Sequence, residues 1–192
     1  MGSSVGVSKV SNREQMASAV EHALRYDEWI VCEEAIVGRE IEVAVLGNLR
    51  PEASVPGEII PGNDFYDYED KYVSDGAHLV IPAELDSARA DEVRALALRV
   101  FDVLRCEGLA RVDFFYEPDG RGFLCNEVNT MPGFTPISMY PKLWQASGVA
   151  YPELIDRLVQ LALERHARRR RDTARRSEEH TSELQSQFRI SY

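Results

Sequence analysis

No apolar run in this 192-residue chain approaches the length needed to span a bilayer. The first residues lack the charged and apolar regions of a secretory signal peptide. Cysteine is scarce: Cys32, Cys106 and Cys125 are odd in number and match no zinc-knuckle spacing. A disulfide framework and a knuckle are therefore both excluded. Each cysteine lies in an apolar context and is expected to be a buried free thiol, which suits a reducing cytoplasm. None has a recognisable base beside it, which argues against a nucleophilic thiol. Positive charge is in deficit, with 22 Lys and Arg against 32 Asp and Glu and a formal net charge of -10. Nothing in that balance calls for nucleic acid or an anionic membrane as a partner. The chain also lacks internal repeats, the Walker lysine pattern and the dinucleotide fingerprint.

What is present reads as α+β. Ser11-Asn12-Arg13-Glu14 has the form of a capping box. Met16, Ala19, Val20, Ala23 and Leu24 follow at helical spacing, predicting a helix to about Tyr26. Trp29 to Glu33 reads as a strand, and Glu40 to Leu46, alternating charged and apolar, as another that ends in a Gly47-Asn48 turn. Residues 56–82 are rich in Gly, Pro, Asp and Tyr and read as a long loop. Phe65, Tyr66, Tyr68, Tyr72 and His78 make it a functional loop rather than a disordered one. Asp86 to Arg105 is a second helix, with Val93, Leu96, Ala97, Val100, Phe101 and Leu104 on one stripe. Leu109–Tyr116 and Arg121–Val128 are strands around Pro118-Asp119-Gly120. A loop over Asn129–Pro136, a short helix near Ser138–Gln145 and a last helix from Pro152 into Arg168–Arg171 complete the pattern. From about Arg176 the sequence looks like an in-frame translation of a sequencing-library adaptor, so the tail is expected to carry no role.

The sharpest local signal is Arg111-Val112-Asp113 facing Glu127-Val128-Asn129. In a hairpin centred on Gly120, residues whose numbers sum to 240 are opposed. Asp113 then faces Glu127, Arg111 faces Asn129, and all four share one face. Opposed carboxylates about 5 Å apart at Cβ repel unless something neutralises them. Two anionic oxygen ligands and an amide suit Mg²⁺ that also binds phosphate, and Arg111 beside them suits a developing oxyanion. A solvated charged face with an ordinary Arg–Asp pair fits the same pattern, and the pairing alone leaves both readings open. The loop Asn129–Pro136, leaving a strand and entering a helix at Ser138, favours anions through backbone N–H groups. Gly133 permits close backbone approach there. Gly2-Ser3-Ser4-Val5-Gly6 could wrap a phosphate, or be a plain turn.

Gly2–Gly6, Glu33–Glu40, Phe65–Tyr72, Gly108–Asp113 and Asn126–Gly133 together resemble, in order and spacing, the D-alanine–D-alanine ligases of the ATP-grasp group; the resemblance covers about 2–166. It implies an ATP-grasp fold of antiparallel sheets flanked by helices with a long omega loop. Residues 1–55 would be the remainder of a central subdomain, 56–171 the C-terminal catalytic domain and 172–192 a polar tail. It implies a cytoplasmic enzyme that uses ATP, D-alanine and Mg²⁺ or Mn²⁺, with two ions, and it allows a homodimer of the intact protein. By resemblance, Ser4, Glu33, Ala35, Ile36, Glu40, Lys71, Asn126 and Glu127 would contact the nucleotide. Asp113, Glu127 and Asn129 would hold metal. Arg111 and the Gly133 backbone would stabilise the oxyanion, and Ser138 and Met139 would hold the second amino acid's carboxylate. Lys71 would meet the transferred phosphate, while Ser3, Tyr72 and Ser138 would close the loop. Tyr72 beside Lys71 favours D-alanine as acceptor; D-lactate and D-serine ligases are the alternatives. The family's N-terminal domain and two phosphate-binding lysines would lie before Met1, so this polypeptide alone is expected to be a nucleotide-binding or inert remnant.

Overall fold

The computed structural model describes residues 4–60, 78–135 and 137–187, with side chains as far as Arg170. Among these residues six strands form one antiparallel sheet. They are β1 (Arg39–Gly47), β2 (Glu52–Ala53), β3 (Gly57–Ile60), β4 (His78–Val80), β5 (Gly108–Glu117) and β6 (Gly122–Asn129). The spatial order is β4-β3-β1-β5-β6, with β2 pairing on β1. The helices are α1 (Arg13–Ala23), α2 (Ser87–Val103), α3 (Met139–Ala146) and α4 (Tyr151–Gln187).

β1 and β5 are the centre, paired from Arg39 opposite Tyr116 to Gly47 opposite Gly108. Their alternation sends Ile41, Val43 and Val45, with Ala110, Val112 and Phe114, to one face, where they pack on Val93, Ala97 and Phe101 of α2. The opposite face is split. At one end Ala44, Leu46 and Ile59 pack on Tyr140, Leu143 and Trp144 of α3 and on Leu154 of α4. Each large side chain so buried contributes about 1.5–3 kcal/mol before entropy is counted. The other end of that face carries the charged residues, so the two helical layers anchor the strands and leave a polar patch beside α3. The sheet runs across position 55: β1 pairs with both β3 and β5.

Several expectations are corrected. The capping contacts of α1 lie one residue later, with Asn12 Oδ1 accepting from the Gln15 N–H and Gln15 Oε1 from the Ser11 N–H. The helix ends at Ala23, and no residue of it is buried. Trp29–Glu33 forms no strand: Trp29 is 81% and Val31 83% exposed. Strand-favouring side chains do not make a strand without a neighbour to complete the ladder, and among the described residues none lies alongside. Cys32, on that unpaired segment, and Cys125, on edge strand β6, are exposed rather than buried, and Cys106 is half-buried. The 56–82 stretch contains β3 and β4, which pair with each other. The omega loop, with Lys71 and Tyr72, lies outside the described residues, as does Ser3. The last helix continues past Arg171 to Gln187, through much of the expected tail. No helix among the described residues is long and apolar enough to cross a membrane.

Candidate active site

The polar half of the sheet is laid out in two cross-strand rows. Glu42, Asp113 and Glu127 are successive partners across β1, β5 and β6, and Ala44, Arg111 and Asn129 form the next row. Glu40, opposite Phe115, lies on the same face. The expected opposition of Asp113 with Glu127, and of Arg111 with Asn129, is present. The hairpin reaches it by a different route, however. Near the turn Glu117 faces Gly122 and Phe114 faces Cys125, so those numbers sum to 239. The ladder shifts between Asp113 and Phe114, leaving Asn126 as an extra residue that restores the 240 register. Asn126 is thus a bulge residue beside the carboxylates, where a bulge re-aims side chains.

Glu42 was not singled out in the sequence, although it is the most buried charged group of the patch at 5% exposure, against 8% for Asp113. The available signal was Glu40 and Glu42 at strand spacing inside an otherwise apolar β1. Arg111 lies between the carboxylates. Its Nε and Nη2 donate to Asp113 Oδ1 and Oδ2 at 2.8 and 2.7 Å, and its Nε is 3.2 Å from Glu42 Oε2. Burial, reinforced by the charge of Asp113, pushes the Glu42 carboxyl up to about 8, with Arg111 pulling the other way. Partial desolvation of its sulfur and then the charge of Asp113 raise the Cys125 thiol, which disfavours the thiolate.

The loop after β6 is held by local bonds. Asn129 Oδ1 accepts from the Met131 N–H at 3.1 Å, and the Tyr151 hydroxyl donates to the Phe134 carbonyl at 2.9 Å. Ser138 is the N-cap of α3, but its hydroxyl makes no capping bond. It turns back to Thr135, accepting from the backbone N–H at 3.1 Å and lying 2.8 Å from Oγ1. A Cβ on Gly133 would stand 2.9 Å from Ser138 Oγ, so a larger residue there would push the Ser138 hydroxyl out of its place. Gly133, Ser138 and the buried Met139 are therefore one cluster at the start of a helix whose first N–H groups are free of side-chain caps.

The other expected contacts are more scattered. Ser4 sits in a turn closed by the Val7 N–H on the Ser4 carbonyl, at a φ of 57°. Glu33 and Ala35 are exposed and Ile36 half-buried on the unpaired segment. Glu34 between them reaches the hairpin turn through Arg121 at 2.9 Å. Among the described residues no three His, Cys, Asp or Glu side chains are gathered as a metal cluster; the expected set has two carboxylates and an amide. That donor set does suit a hard divalent cation, because Asp113 and Glu127 are opposed carboxylates and Asn129 brings an amide oxygen to the same face.

Residues 1–160 match the family model for the D-ala D-ala ligase C-terminus. The chain belongs to the D-alanine–D-alanine ligase family. It is 58% identical over 168 residues to the D-alanine–D-alanine ligase of Oceanobacillus iheyensis, covering 87% of this chain and 46% of the relative. Against D-alanine–D-alanine ligase A of Escherichia coli it is 54% identical over 167 residues, with 86% and 46% covered. The solved ligase of Coxiella burnetii superposes with a TM-score of 0.80 at 40% identity, over 95% of this chain and 48% of that one. The D-Ala:D-Ser ligase VanG of Enterococcus faecalis gives 0.75 at 35% identity, over 83% and 46%. The chain thus spans about half the length of the curated relatives it matches. The sheet and its flanking helices are this family's ATP-grasp fold.

Proposed function

We propose that the intact protein to which this chain belongs joins two molecules of D-alanine, converting ATP to ADP and phosphate. The observation that carries this reading is the row Asp113–Glu127 with Arg111 beside it, within a chain more than half identical to D-alanine–D-alanine ligases. One D-alanine carboxylate attacks the γ-phosphorus of ATP, the bond to the β-phosphate oxygen breaks, and an acyl phosphate forms. The amine of the second D-alanine attacks that acyl carbon, loses a proton, and phosphate departs. Arg111 and the Gly133 N–H stabilise the tetrahedral oxyanion, while Ser138 and the N-terminus of α3 at Met139 hold the acceptor carboxylate.

Asp113, Glu127 and Asn129 would hold Mg²⁺ or Mn²⁺, as two ions, which supply charge neutralisation at the phosphate oxygens. Ser4, Glu33, Ala35, Ile36, Glu40 and Asn126 contact the nucleotide. Lys71 meets the transferred phosphate, and Ser3, Tyr72 and Ser138 close the omega loop. Excluding water matters because acyl phosphates hydrolyse readily. The family identities support these roles, together with the meeting of Gly133 and Ser138. The setting is cytoplasmic in this reading, which allows a homodimer of the intact protein. A D-serine acceptor is the second reading, favoured by the likeness to VanG.

The test fuses this chain to the N-terminal half of the Escherichia coli relative. The fusion should form D-alanyl-D-alanine with ATP and Mg²⁺, releasing ADP and phosphate. D-serine supplied with D-alanine should be the poorer acceptor; the reverse preference would select the second reading. Glu127→Gln should abolish turnover, because it removes a charge at the metal while keeping shape. Retention of more than about a tenth of the activity, equivalent to under about 1.4 kcal/mol of barrier, would remove Glu127 from the metal site.

A further inference from the structure

We propose that Glu42 is a positioning residue, which keeps the Arg111 guanidinium turned into the site when Asp113 turns to the metal. This deepens the ligase reading and rests on it. The geometry is a triangle. Glu42 and Asp113 are direct cross-strand partners, and Arg111 lies two residues from Asp113 on the same face. Arg111 is opposite Ala44, whose small side chain leaves the guanidinium room to lie along β1 toward Glu42. It makes a two-pronged bond to Asp113 and already touches Glu42 through Nε at 3.2 Å.

That arrangement cannot persist through the reaction. Asp113 oxygens fully engaged by a guanidinium are poor metal ligands, and a carboxylate bound to a divalent cation is a poor partner for a cation. Arg111, with 19% of its side chain exposed, would then be a largely buried charge with a weakened partner, which is costly. Glu42 removes the conflict. Its carboxyl group is 5% exposed, and its Oε2 accepts no hydrogen bond of good geometry, so an acceptor oxygen stands ready beside Nε. A small rotation of the guanidinium passes it from Asp113 to Glu42 and aims its outer edge at the substrate oxyanion. Without Glu42, Arg111 stays on Asp113 and competes with the metal.

Three measurements on the fused enzyme test this. Glu42→Ala should lower kcat for dipeptide formation about tenfold or more and raise the half-saturating Mg²⁺ by a similar factor. KM for ATP at saturating Mg²⁺ should stay within about twofold. Glu42→Gln retains an acceptor oxygen and should recover most of the loss, which a merely structural role would not predict. Mn²⁺ titration followed by paramagnetic resonance should show the same weakening in Glu42→Ala. In the unaltered protein, the Arg111 Nε–H resonance should stay protected from solvent exchange as Mg²⁺ and a non-hydrolysable ATP analogue are added. That readout needs no variant to fold and no turnover. An active fusion in which Glu42→Ala matches the parent in kcat and Mg²⁺ dependence overturns the proposal and leaves the ligase reading standing. Loss of Arg111 Nε–H protection on metal addition overturns it as well. A fusion that makes no dipeptide counts against the ligase reading, and Mn²⁺ affinity and Nε–H protection then still decide the handover.

Discussion

Two helices in this chain end with the same hydrogen-bond pattern and different residues. At the end of α2 the Cys106 N–H bonds the Phe101 carbonyl and the Arg105 N–H bonds that of Asp102. At the end of α3 the Val149 N–H bonds the Trp144 carbonyl and the Gly148 N–H that of Gln145. Both ends need a left-handed residue after the cap. Gly148 supplies it at a φ of 91° without steric cost, but at α2 the position is Arg105, at 53°. A left-handed non-glycine residue costs about 1–2 kcal/mol. Arg105→Gly should therefore raise stability by about 1 kcal/mol, the unfolded chain's added freedom offsetting part of the gain. Gly148→Ala should lower it by a similar amount, although an added Cβ there would touch nothing. Thermal unfolding of the two variants checks both signs; a loss from Arg105→Gly would mean that its side chain makes a contact worth more than the strain.

At the scale of elements, β5 and β6 show what a sequence can and cannot say. Alternation and the Pro118-Asp119-Gly120 turn made both strands legible, and period two put Asp113 and Glu127 on one face. The opposition of those two residues was nevertheless reached from a turn centred half a residue off, and Asn126 made up the difference. Nothing in a period-two pattern marks an extra residue, because a bulge is a property of the pair and not of either strand. The same non-locality explains Trp29–Val31: strand-forming side chains were legible, the absence of a described neighbour was not. Glu42 was legible only as alternation, and its burial follows from β1 lying between β3 and β5. Deleting Asn126 gives a test. It should regularise the ladder while keeping Glu127 opposite Asp113, and leave stability within about 1 kcal/mol. In the fused enzyme it should raise KM for ATP about tenfold, since the bulge is what re-aims side chains beside the carboxylates. Unchanged KM would show the bulge to be incidental to nucleotide binding.

At the scale of the whole molecule, α4 poses the question of where the packed fold stops along a helix of 37 residues. Its first turns are in the core through Leu154, with Leu158 and Leu161 packed beside it. Further along, the helix is tied by charge: Arg165 and Arg168 both pair with Glu107, in the turn between α2 and β5. Arg165 Nε and Arg168 Nη1 are also buried without a hydrogen bond of good geometry, so Glu107 is what offsets two partly buried cations. Glu107→Ala should destabilise by about 1 kcal/mol, discounted for the exposure of the arginines, or a Tm about 2–4 °C lower. From Arg176 to Glu183 the sequence is polar, Arg176-Ser177-Glu178-Glu179-His180-Thr181-Ser182-Glu183, and offers no apolar side chain to bury. Removing residues 176–192 should therefore leave Tm unchanged within error, in this chain or in the fused enzyme. The two experiments bracket the boundary between them. A truncation costing more than about 1 kcal/mol would place packed contacts beyond Arg175, whereas a silent Glu107→Ala would end the fold a turn or more earlier, near Leu161.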